Sequence, residues 1–253
     1  MRARREQRGS GARGRRRIMV LGTQRGIGKS VVAGGLAMLL RRRRVPVDVF
    51  KPVSVGCRRT RHGPVSPDVE FLAHCADSPH ELAVINPVRY RQTFAPAECA
   101  RRERRPVDFD KIEQGIHGLS EGCSVLLIEG VGGLLEPLDE KRTMVELAAR
   151  WNAEVAVVAP SSVDAVNHVL MAVDCLRHRD VEPLAVLLNR YVAESAPWAD
   201  EINPEQIATY ANVDVPLMLP HDPVISMEKG RMGEDMLAAL QPLATRLTER
   251  PAS

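Results

Sequence analysis

No stretch of this sequence stays apolar for the roughly 18 residues that a bilayer-spanning helix needs, so no membrane association is expected. The N-terminus is basic but lacks the apolar segment of a secretory signal behind it. Cysteine is scarce. Cys57, Cys75, Cys99, Cys123 and Cys175 are odd in number and widely spaced, and no C-x-x-C occurs. That spacing argues against a disulfide framework and a structural zinc site, and it makes a reducing cytoplasm the expected compartment. A proline-, glycine- or serine-rich linker is also missing between residues 18 and 247, as is any internal repeat. One domain with one sizeable core is therefore expected over residues 18–253.

The 44% hydrophobic and 26% charged content is ordinary for a soluble globular chain. The formal charge of +3 hides two unlike regions. Residues 1–17 hold eight arginines against one glutamate, more than the whole chain's excess, so the body that follows is net acidic. The expectation for residues 1–17 is a disordered basic arm. Its contact with nucleic acid would be nonspecific and electrostatic.

Short apolar runs at 18–21, 45–50, 124–128, 155–158, 184–188 and 215–219 read as buried strands. Helical periodicity appears at 30–41, 164–178 and 232–247. Arg41 to Arg44 close the first of these helices, where cations suit the negative end of the dipole, and they read as a solvated cap. Strands alternating with amphipathic helices predict an α/β fold of the P-loop type. Its mostly parallel sheet would be covered on both faces, with ligands at the carboxyl ends of the strands.

The segment G-T-Q-R-G-I-G-K-S over residues 22–30 lies between the first strand and the first helix. Glycines let such a loop curl its N–H groups around phosphate, and the helix N-terminus adds positive partial charge. Gly26, Ile27, Gly28, Lys29, Ser30 and Val31 are thus candidate nucleotide contacts. Lys29 would reach the β- and γ-phosphates, and the Ser30 hydroxyl would ligate Mg2+. The strict G-x-x-x-x-G-K-[ST] pattern is not met, because Thr23 stands at its first glycine.

Lys51-Pro-Val follows the second strand, where a lysine can hold a transferring phosphoryl group. Ser66 reads as a helix cap and Asp68 lies just inside that helix. Glu129, with Gly130 and Gly132 behind it, stands where the third strand exits. Ser30, Asp68 and Glu129 would give one magnesium ion a hydroxyl and two carboxylates.

In this combination the sequence resembles the dethiobiotin synthetase family, whose loop has the form G-T-x-T-x-V-G-K-T, followed by K-P-V, a helix-borne aspartate and E-G-A-G-G. The matching stretches here are 22–30, 51–53, Asp68 and 129–133, with further similarity at 84–87, 94–96, 166–168, 187–189 and 215–217. Together they span about residues 18–222, and threonine at the first loop glycine is a habit of that family. The resemblance implies a homodimer that joins 7,8-diaminononanoate and CO2 at the expense of ATP. A carbamate and a carbamic–phosphoric anhydride would be intermediates. It implies that Lys51 and Lys29 act on the phosphoryl group, and that Asn189, Pro220 and His221 hold adenine. Ser54 and Val55 would face substrate, and Asn167 would receive the substrate carboxylate across the dimer. The family's second loop threonine is Arg25 here, its small hydroxyl residue falls at Val55, and 160–164 differs from its usual basic stretch.

Two other readings stay open at this level. One is a related P-loop ligase acting on another carboxylate or amine, although the remaining residues leave no room for a glutaminase domain. The other is a switch ATPase related to MinD and ParA, which carry a signature lysine where this chain has Gln24.

Overall fold

The protein is described here by a computed structural model covering residues 15–61, 63–192 and 199–249, with 199–202 as backbone only. Residues 1–14 of the basic arm lie outside the described residues. In chain order the elements are β1 (Arg16–Gly22), α1 (Lys29–Arg42), β2 (Val47–Phe50), β3 (Val53–Ser54), β4 (Arg58–Thr60) and β5 (Gly63–Val65). Then come α2 (Pro67–Ala76), α3 (Leu82–Ile85), β6 (Val88–Arg89), α4 (Pro96–Arg102), α5 (Phe109–Gly122), β7 (Val125–Glu129) and α6 (Met144–Arg150). The last are β8 (Glu154–Pro160), α7 (Ala165–Arg177), β9 (Pro183–Tyr191), α8 (Ala199–Ala211), β10 (Leu217–Pro220) and α9 (Glu234–Thr248).

Six strands form a wholly parallel sheet in the order β10-β9-β8-β1-β7-β2, so the expected α/β architecture is met. Both faces are buried, which is why these strands read as continuous apolar runs. Alternation along β1 divides the core: Ile18 and Val20 join the layer of α1, α2 and α9, while Met19 and Leu21 join the layer of α5, α6 and α7. Two glycines in mid-α1 let its neighbours come close. A Cβ on Gly34 would lie 2.6 Å from the Phe71 ring of α2, and one on Gly35 would lie 2.6 Å from a Leu240 methyl of α9. Among the described residues no helix is long and apolar enough to cross a membrane.

The connection from β1 passes over β7 to β2, whereas the chain leaving β7 crosses to β8 on the other side of β1. Reversal of direction at β1 opens a crevice at its carboxyl end, the place where such sheets bind ligands.

Several boundaries differ from the sequence reading. Arg16 and Arg17, assigned to the arm by their charge, are the first two residues of β1. Being the central strand, β1 is paired on both sides, and its ladder extends back to them, with Arg16 N–H donating to the Ser124 carbonyl at 2.8 Å. The Arg16 guanidinium forks onto Glu154 at 2.8 and 2.7 Å. The second strand starts at Val47 and the last at Leu217, each just after a proline that has no N–H to offer a ladder. Ser66 occupies the cap position of α2 with extended backbone, but its side chain makes no cap hydrogen bond. The arginine cluster is more than a solvated cap. Arg41 binds the Cys75 carbonyl and Asp77 behind α2, while Arg42 and Arg43 reach Glu234, Gln241 and Thr245 of α9.

Candidate active site

β1 delivers the chain to the crevice, where Thr23 N–H still donates to the Val158 carbonyl of β8 at 3.0 Å. The chain then turns through Gly26 (φ 71°) and Gly28 (φ 94°), both in the left-handed region that side chains disfavour. At Gly28 the requirement is double, because a methyl there would run into the Asn189 side-chain amide. Asn189 ends the buried part of β9 and donates from Nδ2 to the Ile27 carbonyl at 2.6 Å. Arg190, held at φ 66°, donates to the Gly26 carbonyl at 2.6 Å. With two loop carbonyls engaged from the β9 side, the loop has the construction that frees backbone N–H groups for an anion.

Lys29 opens α1 and is buried. Its Nζ donates to the Gly132 carbonyl at 2.7 Å and the Gln24 carbonyl at 3.1 Å. Burial lowers its pKa from the ordinary lysine value, Glu129 pulls it back up, and Lys51 pushes it down again. Ser30 follows, its hydroxyl donating to Glu129 Oε1 at 2.9 Å.

Lys51 leaves β2 with its ammonium buried between two acids, 2.5 Å from Asp68 Oδ2 and 2.6 Å from Glu129 Oε1. Burial opposes its charge, but Glu129 and then Asp68 outweigh that effect and raise its pKa, so this lysine stays cationic. Glu129 is itself buried, and burial drives its carboxyl upward against the pull of Lys51. Asn86 fixes the turn beside the lysine, donating from Nδ2 to the Lys51 carbonyl at 2.5 Å.

These groups share one cavity of about 310 Å³. Of the residues singled out from sequence, Gly26, Gly28, Lys29, Ser30 and Val31 line it from the loop. Lys51, Val55, Asp68, Glu129, Gly130 and Gly132 line its other walls. The rest lie outside its lining. Ile27 is buried with its side chain in the core, and Ser54 is buried in β3 beside Val55. Asn189 grips the loop from behind, Pro220 ends β10, and His221 is exposed, with its N–H on the Tyr191 carbonyl at 2.8 Å. Asn167 is exposed on the first turn of α7 and does not reach this cavity within one protomer.

Magnesium can be tested against the donors present. Among the described residues no group of three or more His, Cys, Asp or Glu could hold a metal. The ion would therefore depend on an oxygen set completed by phosphate and water, which is magnesium's habit. Glu129 Oε2 is buried without a partner, and its other oxygen already meets the Ser30 hydroxyl. Ser30 and Glu129 fit the ion. Asp68 lines the same cavity, its Oδ2 held by the Lys51 ammonium as Glu129 Oε1 is too.

Sequence reading missed Arg190, Val131 and Met227, which also line the cavity. Arg190 had a faint signal in following Asn189. The other two are unremarkable apolar residues whose place depends on tertiary packing.

Comparison with known proteins agrees with this geometry. A family model described as an AAA domain matches residues 16–229. The chain is 31% identical over 227 residues to the ATP-dependent dethiobiotin synthetase BioD of Anaeromyxobacter sp. (strain K), covering 89% of this chain and 99% of that protein. It is 33% identical to the protein of the same name from Anaeromyxobacter sp. (strain Fw109-5), over 76% of this chain and 84% of that one. Among solved structures, the MinD cell division protein of Aquifex aeolicus superposes with a TM-score of 0.61 at 13% identity, covering 94% of this chain and 98% of that one. At that identity the likeness speaks for the fold alone.

Proposed function

This chain belongs to the dethiobiotin synthetase family of P-loop ligases, and from that premise we propose that it closes the ureido ring of dethiobiotin from 7,8-diaminononanoate, CO2 and ATP. The observation that carries the reading is Lys51, buried between Asp68 and Glu129 on the same cavity as Lys29 and Ser30. Gln24 stands where a switch ATPase would carry its signature lysine.

In the proposed reaction one amine takes up CO2 as a carbamate and releases a proton. A carbamate oxygen attacks the γ-phosphorus while the bond to ADP breaks, giving a carbamic–phosphoric anhydride. The second amine attacks the anhydride carbonyl, closes the ring, and expels phosphate with loss of its proton. Little covalent work falls to the protein, so positioning and charge stabilisation dominate. Lys29 leaves its two carbonyl partners for the β- and γ-phosphate oxygens. Lys51 meets the phosphoryl group as it transfers. Pro220 and His221 border adenine beside Asn189, whose Nδ2 is already on the loop, and Val55 borders the diamine with Ser54 next to it. Ser30, Glu129 and Asp68 would hold magnesium, which when bound supplies positive charge to the phosphate oxygens. Asn167, exposed on α7, would serve the cavity of a second copy in a cytoplasmic homodimer.

The test is ATP turnover with and without diaminononanoate and bicarbonate, with dethiobiotin detected by mass. Turnover that depends on the diamine and yields dethiobiotin is expected. Turnover indifferent to the diamine would return the chain to the switch class, and dependence on another amine or carboxylate would assign it to a related ligase. Sedimentation of the protein tests the dimer separately.

A further inference from the structure

Arg25 sits in the phosphate loop and lines the cavity, where the resembled family carries a threonine. It is not a free receptor for a ligand anion. One end of its guanidinium donates to the Thr93 carbonyl at 2.5 Å, and the other is paired with Glu136. Glu136 is only 15% exposed. Its second carboxylate oxygen accepts from Gly133 N–H at 3.3 Å and lies so close to Gly132 that a Cβ there would collide with it. Gly132 is the residue whose carbonyl holds the Lys29 ammonium. An acid thus lies directly behind the cavity wall, against Gly132. Its charge is felt at Lys29, where it favours the cation. Left bare in so enclosed a place, it would repel a polyanion.

We propose that Arg25 is a positioning residue of the nucleotide site, the counter-charge that masks Glu136 and joins the phosphate loop to the turn behind Glu129 so that a triphosphate can enter. The inference rests on the nucleotide-binding part of the proposed function and is independent of which amine is used. It gives a signature that a merely structural contact would not. Removing Arg25 should weaken nucleotide binding, and removing the Glu136 charge as well should restore it.

The experiment is calorimetric titration of the full chain with magnesium and the β,γ-imido analogue of ATP, with no amine present, at low and high salt. Arg25→Ala is expected to bind about tenfold more weakly at low salt, and the loss should shrink at high salt as the repulsion is screened. The same chain carrying Arg25→Ala and Glu136→Gln should return to within about twofold of the parent, and Arg25→Lys, which keeps the charge, to within about threefold. A thermal melt of each variant accompanies the titration. Parent-like binding by Arg25→Ala overturns the inference, as does a loss that Glu136→Gln fails to repair. A parent protein that binds the analogue but makes no dethiobiotin would remove the proposed substrate and leave this result standing. A parent that binds no nucleotide would remove both.

Discussion

The ammonium of Lys51 and the carboxylate of Glu129, 78 residues apart in sequence, meet at 2.6 Å because β2 and β7 are neighbours in the sheet. The pair is buried, and Asp68 completes it from α2. In the proposed reaction this lysine would matter most as negative charge builds on the phosphoryl oxygens beside it, in the transition state.

Lys51→Gln should therefore lower single-turnover formation of dethiobiotin by about 10² to 10³, while nucleotide affinity changes by less than about threefold. Glutamine still donates a hydrogen bond to Glu129, which limits the loss of stability from an unpaired buried carboxylate. Equal losses in binding and chemistry would make Lys51 a general phosphate anchor instead.

Lys29 behaves differently because its partners are two neutral carbonyls. Burial is the main reason its pKa is lowered. Folding thus disfavours its charged form. That penalty is present in full below the folded pKa and fades as pH rises from there towards 10.5, the unfolded value. Lys29→Met should be more stable than the parent at pH 7, with the advantage shrinking by pH 10 in urea unfolding, and should no longer bind ATP. A variant less stable at pH 7 than the parent would refute the electrostatic account.

Glu129→Gln should separate metal from nucleotide. Its unpartnered Oε2 and its contact with Ser30 make it the proposed carboxylate ligand of the ion. The magnesium concentration for half-maximal turnover should rise by about tenfold, with nucleotide affinity in the absence of metal little changed. An unshifted magnesium titration would remove Glu129 from the metal site.

Two loop glycines should respond unequally. Both have positive φ, but a Cβ on Gly26 meets nothing within 4 Å, whereas one on Gly28 collides with Asn189. Gly26→Ala should cost about 1–2 kcal/mol of backbone strain and keep nucleotide binding. Gly28→Ala adds a clash with the residue that holds the loop, and nucleotide binding should be lost. Similar binding by the two variants in the same titration would show that the Asn189 contact is dispensable.

Much of this was legible in the sequence because burial leaves a local trace. Strands covered on both faces are mostly apolar in their middles, so all six sheet strands stand out in the sequence, and a glycine-rich segment between strand and helix marks the phosphate loop. The misses have local causes too. Gly115 and Gly118 inside α5 hide its helical pattern, although Ile112, Ile116 and Leu119 form its buried face. Arg16 and Arg17 looked like tail because charge masks a strand whose pairing comes from neighbours far along the chain.

The sequence by itself determined the alternation of strands and helices, the loop with Lys29 and Ser30, and the placing of Lys51 and Glu129 at strand ends. These depend on periodicity and turn chemistry, which act over a few residues. Only the tertiary structure decided that Lys51 lies between Asp68 and Glu129, that Asn189 and Arg190 hold the loop carbonyls, and that Arg25 is matched by Glu136. Those pairings follow from strand order and from the reversal of direction at β1. That order is fixed by packing two cores against one sheet, a global balance that no local stretch of sequence expresses.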